Sequence, residues 1–124
     1  MPNPGLIKTF VAEAAVAAYR IAKFGTSDAN VVQATAVGDA LIGVCGLVAG
    51  DAGRRVDIIM SDIAEVEYGG NVTRGDWLTT DASGRAVSAA PAAGTNNNVI
   101  GRALVSGVVG DIGHCMLAPC RIQG

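Results

Sequence analysis

A chain of 124 residues has room for one domain with one core, and half of its residues are apolar, which excludes a disordered chain. Nine basic residues against eleven acidic ones leave a net charge of −2, and only Arg54 and Arg55 are adjacent, so the basic face that nucleic acid requires is absent. No run reaches the roughly 18 uninterrupted apolar residues of a membrane-spanning helix, and three irregularly spaced cysteines make no disulfide framework.

The apolar half is mostly Ala and Val, with one Trp, two Tyr and two Phe. Small side chains bury little area each, and burial stabilises by about 25 cal/mol per Å². A core built this way is thin and gains from partner subunits.

In chain order, MPNPGLIKTF (1–10) lacks the basic and apolar regions of a secretory signal, which predicts a protein made and kept in a cytoplasm. Pro2 and Pro4 predict an extended N-terminal arm. FVAEAAVAAYRIAKFG (10–25) fits two patterns. Its Ala, Glu, Arg and Lys content and the spacing of Phe10, Ala14, Ala17, Ala18 and Ile21 suit a helix. Alternation from Val16 to Phe24, after a turn near Glu13–Ala14, suits a strand. The glycine-dense, Val-rich remainder favours the strand.

That remainder contains NVVQATAV (30–37), LIGVCGLV (41–48), RRVDIIM (54–60), IAEVEY (63–68), NVIGRALV (98–105) and IGHCMLA (112–118). Short β-prone runs between glycines predict an all-β fold, a small single-domain β-sandwich or β-barrel of short antiparallel strands spanning 1–124. Within GDWLTTDASGRAV (75–87), Asp81-Ala82-Ser83-Gly84 reads as a tight turn between two arms of a hairpin. Trp77, in the first arm, reads as an anchor of the core or of a subunit interface. SAAPAAGTNNN, centred on 88–98, predicts a flexible loop.

LIGVCGLVAGDAGRRVDIIM (41–60) is echoed by VIGRALVSGVVGDIGHCMLA (99–118), which predicts one hairpin motif used twice. Gly-Asp recurs at Gly38, Gly50, Gly75 and Gly110, where it suits a turn ahead of a strand.

Few polar groups could converge. His114 and Cys115 are neighbours in a predicted strand and so point to opposite faces, which disfavours a Cys–His nucleophile pair. HCMLAPC lacks the second ligand pair of a structural zinc site. Glu65 and Glu67 share a strand face and read as a solvated rim rather than an acid–base pair. No catalytic residue, cofactor site or metal site is expected, and the chain does not read as an enzyme.

The order AAYRIAKFG, VVQATA, LIGVCG, RRVDIIM, IAEVEYGGNVTRGDWLTTDASGRAV, VIGRAL and a closing strand resembles the capsid cement, or decoration, proteins of tailed bacteriophages. The match is strongest in YGGNVTRGDWLTTDASGRAV with VIGRAL after it, and looser from about Ala14 to Leu117. The resemblance implies a structural virion protein on the outer capsid surface, synthesised in the bacterial cytoplasm, that bridges major capsid subunits and stabilises the shell. Its implied partners are the major capsid protein and itself, as a homodimer or homotrimer, with neither nucleic acid nor membrane. Candidate interface residues are Leu6, Ile7 and Phe10 of the arm, together with Trp77. The alternative is a small β-barrel ligand- or carbohydrate-binding module of a phage virion, against which the scarcity of aromatics counts.

Overall fold

The computed structural model describes residues 5–124, so the first four residues of the expected arm lie outside the described residues. Ten strands follow one another: β1 (Ile7–Ala12), β2 (Ile21–Phe24), β3 (Asn30–Gln33), β4 (Leu41–Cys45), β5 (Arg55–Ile59), β6 (Ile63–Glu67), β7 (Trp77–Thr80), β8 (Ala86–Ser88), β9 (Asn96–Ala103) and β10 (Ile112–Gln123). The fold is all-β. The first five strands close a barrel in the order β1-β3-β2-β4-β5, and the other five form a sheet in the order β6-β10-β9-β7-β8.

The sequence predicts antiparallel strands, and one pair departs: β1 and β3 run parallel. Around a closed ring of five strands, direction cannot alternate at every step. The other four barrel pairs are antiparallel, so the fifth must be parallel. A second departure concerns the arm. The chain is extended from Ile7, but it is held to β5 from Ile7 opposite Ile59 to Val11 opposite Arg55. Phe10 and Ala12 point into the barrel, and that burial commits residues 7–12 to the barrel instead of leaving them free to reach outward.

Residues 10–25 are not helical. β1 ends at Ala12, the chain bends at Glu13–Ala14, Val16 bridges to Gly50, and β2 begins only at Ile21. The expected Val16–Phe24 alternation breaks at Tyr19, whose φ of 62° is left-handed. Ile21 and Ala22 are both fully buried because β2 has a core on each side. Ala22 joins Phe10, Val31, Cys45, Val56 and Ile58 inside the barrel, whereas Ile21 joins Val66, Tyr68, Leu78, Ile100 and Cys115 between barrel and sheet. β4 is buried along its whole length for the same reason, and LIGVC is accordingly an unbroken small-apolar run. β5 and β6, covered on one face, keep the alternating pattern.

The hairpin at 75–87 forms with β7 and β8 paired from Leu78 opposite Ser88 to Thr80 opposite Ala86. The Asp81 carboxylate accepts from the Ser83 and Arg85 N–H groups at 2.8 and 2.9 Å, and Gly84 takes φ of 76°. The loop expected at 88–98 is shorter. Ser88 closes β8, and Asn96–Asn98 open β9, because Arg121–Gln123 of the long last strand answer their backbone groups.

The echoed segments are the β4–β5 and β9–β10 hairpins. In each, the glycine after Ile (Gly43, Gly101) lies against a backbone carbonyl of the partner strand, Ile59 and Met116, leaving no room for a Cβ. Three of the Gly-Asp pairs are one device. In Ala36–Asp39, Thr73–Asp76 and Val108–Asp111 the Asp N–H donates back to the first residue's carbonyl, and the Asp carboxylate accepts that residue's N–H. Each turn delivers the chain into β4, β7 or β10.

Candidate functional site

The chemistry-bearing side chains are dispersed. Cys45 and Cys115 are buried in separate cores, and desolvation pushes their thiols up to about 11 and about 12, so both are protonated at neutral pH. Cys120 is exposed beyond the irregularity in β10, and His114 is half-buried on the face opposite Cys115. HCMLAPC therefore does not bring its three ligand-type residues together. Among the described residues no three His, Cys, Asp or Glu side chains gather as a metal would require.

Glu65 and Glu67 share the outer face of β6, but Glu67 is engaged. It lies 3.4 Å from Arg20 and 3.8 Å from Arg85, and Arg85 also reaches Asp81 at 3.2 Å. Arg20 and Gln33 of the barrel each donate to the Ser83 carbonyl at 2.8 Å, and the Ile21 N–H donates to the Gly84 carbonyl at 2.7 Å. These contacts dock the tip of the β7–β8 hairpin onto the barrel. The regularity of that hairpin serves assembly of the two layers.

What the surface does offer is apolar. Leu47 and Val48, in the loop after β4, are 76% and 75% exposed, the highest values among the described large apolar residues. They overhang a groove of about 630 Å³ whose floor is the outward face of β1 and β5, including Ile7, Thr9, Asp57 and Ile59. Ile7 lines this groove and Leu6, just before it, is exposed, so two of the four expected interface residues do sit at the surface. Phe10 does not. It is 4% exposed inside the barrel, because the two-residue period of β1 turns it inward.

Trp77 lies elsewhere, half-buried on the outer face of the second sheet, with the Arg102 guanidinium 4.7 Å from its ring centroid. Arg102 occupies a ring face on which a sugar would stack, which disfavours Trp77 as a carbohydrate platform. Sequence reasoning missed Leu47 and Val48. Their signal was an apolar pair set between Gly46 and Gly50, at a turn where polar residues are the rule.

No family model and no curated protein matches the chain. Among solved structures it is similar to the head fiber gp8.5 N base in bacteriophage phi29, with 21% sequence identity and a TM-score of 0.66 over 96% of this chain and 98% of that one. At that identity the likeness shows a shared fold, here over nearly the full length of both chains.

Proposed function

We propose that the protein is a structural component of a phage virion that seats on the outer surface of the icosahedral head as a homo-oligomer and bridges neighbouring major capsid subunits. The observation that carries this reading is the end-to-end likeness to a base domain of a phage head fiber. The cement-like order of segments and the dispersed chemical groups support a structural role over a catalytic one. The β1/β5 groove with Ile7, Leu47 and Val48 is the face assigned to self-association, since exposed apolar surface of this kind marks protein contacts. Repeated placement on a shell then sums weak single contacts into firm attachment.

Co-sedimentation with expanded capsids lacking the protein, alongside sedimentation equilibrium of the free chain, tests the proposal. Saturable capsid binding by an oligomer is expected, and a monomer that never binds capsids defeats it. The same likeness favours a second reading, a foot that anchors a fibre to the head. The two separate on heating. Cement raises the temperature at which loaded heads release DNA, and a foot leaves it unchanged.

A further inference from the structure

Strand register sets four residues in one row across the outer face of the second sheet. Ile63 on β6 is opposite Met116 on β10, Met116 is opposite Arg102 on β9, and Arg102 is opposite Trp77 on β7. Met116 is 45% exposed and Arg102 is exposed, with the Arg102 guanidinium laid over the Trp77 ring. Arg74, in the loop leading to β7, joins Arg102, Leu104 and Met116 around a shallow groove of about 380 Å³.

The groove is cationic in a chain whose net charge is −2. Among the described residues neither Arg74 nor Arg102 forms a salt bridge, whereas Arg20 and Arg85 both do. Among the described residues no carboxylate lines the groove. Asp76 accepts the Thr73 N–H, Asp111 accepts the Val108 N–H, and Glu65 sits opposite His114, two strands away from Arg102. A guanidinium stacked on an aromatic ring is held flat and keeps its N–H edge free for a two-point bond to a carboxylate. Trp, Arg and Met are also the side chains concentrated in the energetic centres of protein interfaces.

We propose that this face docks a carboxylate-bearing, otherwise apolar segment of a capsid subunit, with Arg102 and Arg74 holding the carboxylate, Leu104 and Met116 forming the apolar floor and Trp77 backing the Arg102 guanidinium. This rests on the capsid-binding reading above and names the chemistry of the partner. The β1/β5 groove, with Arg55 and Asp57 side by side, has no such one-signed demand.

The test uses the full chain and expanded capsids. Arg74→Glu/Arg102→Glu is expected to weaken binding at least tenfold. Arg102→Lys should fall between, because lysine cannot make the two-point bond. Arg54→Glu/Arg121→Glu, the same charge change at exposed sites outside both grooves, should bind as the native chain does. Equal binding by all three variants overturns the proposal. So does loss of the free oligomer in Arg102→Glu with capsid occupancy intact, which would give the face to a second copy.

If the native chain itself ignores capsids, the capsid reading fails and the groove is judged alone. Trp77, the chain's single tryptophan, then reports directly. Its emission should shift on titration with a capped Leu-Asp-Leu-Asp-Leu peptide and not with the Asn counterpart, and Arg102→Glu should abolish the shift. Equal responses to the two peptides overturn the proposal.

Discussion

Tyr68 is the largest fully buried side chain, and its surroundings explain two glycines. Its hydroxyl donates to the Val105 carbonyl at 2.7 Å, and burial pushes the phenol up to about 12, so it stays a donor through the working pH range. A Cβ on Gly113 or Gly107 would run into the ring, and neither glycine has a left-handed φ, so the constraint is purely steric. Gly113→Ala must displace the ring or open the pairing of Gly113 with Val66. Overpacking of this kind costs about 1–3 kcal/mol, and Tm should fall by several degrees. Tyr68→Phe removes only the hydrogen bond, about 1 kcal/mol. Tyr68→Leu should make Gly113→Ala less costly, since the two sites share one volume. Thermal melts of the two single variants and the double variant check this. Melting of Gly113→Ala at the native temperature would show that the ring does not impose the glycine.

At the scale of elements, the Gly-Asp turn is a charged clasp, and its charge makes it sensitive to acid. Burial works to raise the Asp39 carboxyl, but the Thr35 and Ala36 N–H groups and the Lys23 ammonium outweigh it and hold Asp39 below the usual carboxylate range. Glu13 is held low mainly by Thr26, through its hydroxyl and its N–H, and then by Asn30, which ties the end of β1 to the β2–β3 turn. A carboxyl whose folded value lies below its unfolded one stabilises fully above the unfolded value. For these groups that value is about 4, and the contribution disappears as pH falls through the folded value. Denaturant midpoints should therefore be flat from pH 7 to about 5 and decline below about 4. Asp39→Asn should start lower at neutral pH and decline less steeply on acidification. Parallel pH profiles for the native chain and the variant would remove Asp39 from this role.

Across the whole molecule, the strands were legible because Val- and Ile-rich runs between glycines encode them locally, and the Asp81–Gly84 turn carries its own hydrogen-bond chemistry. Closure of five strands into a barrel was not legible, since the β1–β5 pairing that brings Ile7 opposite Ile59 joins residues far apart in sequence and no local pattern marks it or the parallel β1–β3 pair. Leu6 and Ile7 were found at the surface, whereas Phe10 was misplaced because the inward turn of β1 depends on that same closure. Closure also determines how the molecule should unfold. β2 and β4 each give alternate side chains to both cores: Ala22 and Cys45 to the barrel, Ile21 and Val44 to the layer between. Neither core survives without the strands that build the other, so barrel and sheet should melt together. Ile58→Ala, inside the barrel, and Leu78→Ala, between the layers, each remove a fully buried side chain and should each cost about 2–5 kcal/mol. Trp77 lies on the second sheet, away from Ile58. At fixed protein concentration, Ile58→Ala should nevertheless lower the transition seen by Trp77 fluorescence as far as the one seen by far-UV circular dichroism. A single calorimetric peak, with calorimetric and van't Hoff enthalpies equal, should accompany it. A Trp77 transition left at its native midpoint while the circular dichroism transition moves would show two independent units, and β2 and β4 would then not be what couples them.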